Sequence, residues 1–78
     1  MKIKIITPEK VLYEGEIEKA SFPGIIGSFD VLPHHAPLIT ALQKGEIHYV
    51  AAGKEYELGI ESGFVKIEND IVTVCAEK

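Results

Sequence analysis

Few side chains in this sequence are of types that can do chemistry: His34, His35 and His48, the single cysteine Cys75, and the combination Ser28, Asp30 and His35. The histidines, with Asp30 or Cys75, are of metal-ligating type. Adjacent residues of an extended chain point to opposite faces, so His34 and His35 do not share one ion. No two candidate ligands have the close paired spacing of a structural zinc site. The reading is therefore no metal and no cofactor, with one of the paired histidines packed and the other in solvent. Ser28, Asp30 and His35 are the residue types of a hydrolase triad. The serine is not set between glycines on a strand-to-helix turn, and no helix is expected to build one. Cys75 sits in a β-branched stretch and reads as a small buried hydrophobe rather than a reactive thiol. Gly24-Ile25-Ile26-Gly27-Ser28 has a phosphate loop's glycines but lacks the Lys-Ser/Thr pair that follows the second glycine there. It leaves two isoleucines at a glycine-flanked tip, as an apolar contact patch or as core folded inward. No catalytic residue is expected.

The elements that must position these residues read as strands. Ile3, Ile5 and Thr7 alternate with Lys2, Lys4 and Ile6, a period of two over a β-branched stretch. Residues 8–10 form a Pro-led turn. Residues 11–22 read as one long strand, with Gly15 marking a bulge or a close backbone approach. After the 23–28 loop come strands over 29–32 and 38–42, with irregular chain between them. Residues 47–51 and 56–60 form a hairpin around 52–55. Residues 64–67 and 71–75 form another, with Asn69-Asp70 suited to its tight turn because both tolerate left-handed backbone angles. The six aromatic residues are read as cross-strand core pairs, and most Glu residues as a solvated face. No ten-residue segment keeps a capped helical period. The chain is expected to be all-β: a single domain over 1–78, a small antiparallel β-sandwich or flattened barrel.

Composition bounds the function. The 78 residues suffice for one domain, and 46% are hydrophobic, which is globular. The formal net charge is −4 and the lysines are scattered, so no basic stripe exists for nucleic acid. No apolar run nears the roughly 18 residues that span a bilayer, and the start lacks a signal peptide's apolar region. One thiol fits a reducing compartment. The expectation is a protein that stays in the cytosol and acts by binding.

The stretch Gly27-Ser28-Phe29-Asp30-Val31-Leu32-Pro33-His34-His35-Ala36-Pro37-Leu38-Ile39-Thr40 resembles the central signature of the epsilon subunit family of F-type ATP synthases. There a glycine turn, an apolar strand, Leu-Pro-x-His-Ala-Pro-Leu and a Thr follow in that order. Residues 5–13, with Thr-Pro-Glu, resemble the family's opening strand pair. Gly45 matches a turn, Ser62-Gly63-Phe64-Val65 its Gly-Gly-Phe segment, and residues 69–76 its closing strand. Asp30 and His34 stand where the family often has glycine, and Ser28 where some members carry an acidic residue facing the membrane ring.

The resemblance implies the family's β-sandwich and a non-catalytic rotor role, clamping the foot of the gamma subunit to the c-ring and transmitting torque. By position, Thr7, His35 and Thr40 are implied to face gamma. Gly24, Ile25, Ile26, Gly27 and Ser28 are implied to face the ring. Members usually continue into a C-terminal helical hairpin that brakes ATP hydrolysis or helps bind ATP. A chain ending at Lys78 is expected to do neither. Membrane association is expected only through the complex, at the cytoplasmic face of the inner (plasma) membrane. The rival expectation is a free-standing β-sandwich that binds a small ligand or an unrelated protein.

Overall fold

A computed structural model describes all 78 residues, Met1–Lys78. Nine strands follow one another: β1 (Lys2–Ile6), β2 (Val11–Glu16), β3 (Lys19–Pro23), β4 (Ser28–Val31), β5 (Leu38–Leu42), β6 (Gly45–Ala51), β7 (Lys54–Ile60), β8 (Ser62–Glu68) and β9 (Ile71–Glu77). They form two sheets, ordered β2-β1-β9-β8-β5 and β4-β3-β6-β7. An isolated bridge between Gly24 and Leu42 ties the sheets at one corner.

Period-two alternation sets what is buried. Ile3 and Ile5 of β1, Val65 and Ile67 of β8, and Val72, Val74 and Ala76 of β9 all face inward. They meet Ala20, Phe22, Val31, Ile47 and Tyr49 from the other sheet in one cluster of 16 buried residues. No charged side chain is buried there, and the one hydroxyl in the cluster, that of Tyr49, has its pKa raised chiefly by burial. Phe22 packs on Phe29 at 5.6 Å between ring centroids. Tyr13 of β2 packs on Tyr49 at 4.8 Å, and Tyr49 stacks on Tyr56 at 5.2 Å.

Several expectations are corrected. The long strand over 11–22 is two strands in different sheets. Tyr13 and Ile17 face the core on odd positions, and Ala20 and Phe22 on even ones. The phase flips where the chain crosses between sheets, at Glu18, whose N–H donates to Val50. The bulge falls at Leu12, not Gly15, because Ile5 pairs with Tyr13 and Ile6 with Val11. The sandwich is not wholly antiparallel, since β1 and β9 run parallel. The 52–55 turn contracts to Ala52-Gly53, with φ of 52° and 76°. Asn69 and Asp70 form the expected tight turn, at φ 54° and 61°. Phe64 is not a core residue. It is 62% exposed, because the inward places of β8 belong to Gly63, Val65 and Ile67.

Candidate docking surface

The residues that face outward on the first sheet are set by register. Ala41 of β5 pairs with Phe64, Phe64 with Cys75, Cys75 with Ile6 and Ile6 with Val11. One row therefore crosses all five strands, and every member is apolar or a thiol. The next row, Ile39-Lys66-Thr73-Lys4-Glu14, is mostly polar. The apolar row lies at one end of the sheet. Ile25 overhangs it and, with Ala41, Phe64, Cys75 and Ile6, borders a hollow of about 560 Å³ that Thr7 also lines.

The overhang is held by backbone. Ile25 N–H donates to Ala41 at 3.1 Å, Gln43 N–H to Pro23 at 2.9 Å, and Gln43 Nε2 to Gly24 at 3.1 Å. Gly24 is required there, since a Cβ would sit 2.6 Å from the Gly27 carbonyl oxygen. Both isoleucines are exposed, so neither folds inward as core. They differ in role: Ile25, 60% exposed, borders the hollow, whereas Ile26 stands 97% exposed at the tip. Gly27 and Ser28 are exposed beside it.

Thr7 sits at this end with its hydroxyl engaged, 3.2 Å from both the N–H and the carbonyl of Lys10. His35 does not join it. The 33–37 loop is fastened to the other end of the sheet, where His34 N–H donates to Asp70 Oδ1 at 2.8 Å. Asp70 is five residues from Cys75 along the chain, roughly 17 Å at strand spacing. His35 is half-buried, with Nδ1 2.6 Å from the Ala36 carbonyl. His34 is exposed, in left-handed backbone at φ 66°. Thr40 pairs with Val65, so its side chain leaves the sheet on the inward side, opposite Ile39 and Ala41. The structure thus brings Thr7 together with the loop that carries Ile25. It keeps His35 and Thr40 apart from both.

The Asp70 end has its own electrostatics. The His34 N–H, supported by the nearby α-amino group of Met1, holds the Asp70 carboxyl below its ordinary 3.8. The Met1 ammonium bonds Glu16 at 3.2 Å and lies 3.5 Å from Asp70, and chiefly the Glu16 bond raises it above its ordinary 8.0.

The residues of the metal and triad readings are dispersed. Cys75 is exposed on the first sheet's outer face, because Val72, Val74 and Ala76 take the inward places. Its reading as a buried hydrophobe is corrected. His48 lies on the second sheet's outer face, flanked by Glu46 and Glu57; Asp30 shares its row beyond Ser21 and lines the same hollow, whereas Cys75 is on the other sheet. Ser28 and Asp30 pair with Pro23 and Ser21, and His35 belongs to the separate loop. Sequence reasoning missed Phe64, Ala41, Ile6 and Val11 as a surface. The signal was the apolar residues left over on the wrong parity of β1, β8 and β9.

Residues 1–78 match the family described as ATP synthase, Delta/Epsilon chain, beta-sandwich domain. The ATP synthase epsilon chain of Dehalococcoides mccartyi is 40% identical over 99% of this chain and 55% of its own length. That of Desulforamulus reducens is 37% identical over 97% and 58%. That of Leptospira interrogans is 36% identical over 99% and 61%. The chain thus spans a little over half the length of these relatives. Among solved structures, a chain in the Euglena gracilis mitochondrial ATP synthase (OSCP/F1/c-ring) matches with a TM-score of 0.91 at 15% identity, over 97% of this chain and 49% of that one. One in the Tetrahymena thermophila mitochondrial ATP synthase (central stalk/c-ring) matches at 0.82 and 10% identity, over 99% and 63%. At such identity these two show the fold.

Proposed function

The chain belongs to the ATP synthase delta/epsilon chain β-sandwich family, and on that premise we propose that it is a non-catalytic rotor part of a proton-translocating F-type ATP synthase. In this reading it joins the gamma subunit to the ring of c subunits and passes torque between them. The observation that carries the reading is the apolar row over five strands, continued by Ile25 above it. An apolar strip this continuous is what a protein partner covers. Torque transmission needs a stiff body, and the dry two-sheet core supplies one.

The two partners are assigned to different surfaces. Gamma takes the apolar row with Thr7; His35 lies beside edge strand β5, within reach of a broad partner, whereas Thr40 turns inward from that strand and drops out of the contact set. The ring takes the exposed tip, Ile26, Gly27 and Ser28, with Ile25 shared between the surfaces; Gly24 is buried beneath the tip and supports it without reaching a partner. Membrane association follows only from the complex, at the cytoplasmic face. The net charge of −4 supports no nucleic-acid partner.

The test is size-exclusion chromatography of the chain with recombinant gamma from the same source. Co-elution one to one, weakened by His35→Ala or Phe64→Asp in chains whose circular dichroism matches the parent, supports the reading. Ile26→Asp is expected to leave that complex intact and to weaken attachment to the ring. Separation from gamma both with and without the c-ring, at all salt concentrations, refutes the rotor role and favours a free-standing binding module.

A further inference from the structure

The outer face of the second sheet is polar and lies away from the apolar row. On it His48 of β6 stands two residues after Glu46 and directly opposite Glu57 of β7. His48 Nε2 is 3.6 Å from Glu46 Oε1, and Nδ1 is 3.6 Å from Glu57 Oε2. These gaps are too long for hydrogen bonds. They are close to the edge of a tetrahedron of metal ligands, roughly 3.4 Å for bonds of about 2.05 Å. One ligand atom from each of the three residues lies within 4.8 Å of the others. An imidazole gives one nitrogen to one ion, so the carboxylate on its far side must swing inward to complete such an edge. All three side chains are exposed and free to change rotamer.

Two further observations bear on this group. Neither Glu46 nor Glu57 has a lysine within 4.0 Å; the lysine ion pairs of the molecule are Lys44–Glu61 and Lys66–Glu68. Two carboxylates therefore share one imidazole with no ammonium to balance them. The residue opposite Glu46 is Gly59, where an added Cβ would meet nothing within 4 Å, so the face is open beside the group. The backbone below is firm, since β6 and β7 pair over seven positions and Ile47 and Tyr49 are anchored in the core.

We propose that Glu46, His48 and Glu57 form a binding site for a divalent cation, of the borderline class to which Zn²⁺ belongs. The imidazole selects this class over Mg²⁺ and Ca²⁺, which prefer oxygen ligands throughout. The two carboxylates neutralise its charge, and water completes its shell. Three ligands from two neighbouring strands cross-link the edge strand β7 to β6.

The test is titration of the chain with ZnCl₂, read by calorimetry and by amide shifts in ¹H–¹⁵N spectra. One site is expected, with shifts centred on residues 46, 48 and 57. His48→Gln and Glu57→Gln are each expected to weaken binding about tenfold or more, at least what losing an outer-shell partner costs. A His34→Gln/His35→Gln double variant is expected to bind as the parent does. No saturable binding at millimolar Zn²⁺, binding undiminished in His48→Gln, or binding lost with His34 and His35 would each overturn the site.

Discussion

Phe64→Ala tests the docking surface most directly. Phe64 is 62% exposed in the apolar row, between Ala41 and Cys75. A phenylalanine carries about 200 Å² of surface, so roughly 125 Å² remains for a partner to cover. At about 25 cal/mol per Å² this is worth about 3 kcal/mol, or about a hundredfold in affinity. Ordering and desolvation at an interface reduce such a figure, and the expected loss is tenfold to a hundredfold in Kd for gamma. The folded chain should barely notice, since the side chain contributes only a cross-strand pair of roughly 0.2–1 kcal/mol. The assay is isothermal titration of gamma into parent and variant chain, with a urea melt of each. A Kd within threefold of the parent, with both chains folded, would refute the assignment of the row as the contact surface.

Three further predictions concern the fold that holds this surface. Ala52 has φ 52°, and Ala52→Gly should stabilise the chain by about 1 kcal/mol by relieving left-handed strain, seen as a higher urea midpoint. Ile5→Ala removes a fully buried side chain from the core and should cost about 2–5 kcal/mol, enough to unfold much of so small a domain at 37 °C by circular dichroism. Asp70 is depressed below 3.8 in the folded chain, so its stabilisation is present above that pH and is lost as pH falls through the lower folded value. Asp70→Asn keeps the left-handed turn but should remove that acid-limb dependence from urea melts and speed amide exchange at His34. An unchanged acid limb would show that the anchor contributes nothing.

Much of the fold was legible in the chain itself. Alternation of β-branched and polar residues marks Ile3 and Ile5, Val65 and Ile67, and Val72 and Val74, because side-chain direction in a strand is a local property with period two. Asn69-Asp70 marks its own turn through left-handed tolerance. The want of paired ligands or a nucleophile turn argued for a protein that binds, and the residues at 27–40 carried the family resemblance. What stayed hidden depends on which strands become neighbours. The exposure of Phe64 and Cys75 follows from parity, yet their union with Ala41, Ile6 and Val11 in one row exists only after β5, β8, β9, β1 and β2 are hydrogen-bonded in register. The same holds for Glu57 beside His48, nine residues away in the chain, and for Thr7 and His35 lying at opposite ends of one sheet. Strand order and register are set by non-local hydrogen bonds and by burial of the common core. No local pattern encodes them, so the sequence by itself determined which residues turn inward, and the tertiary structure alone decided which outward ones meet.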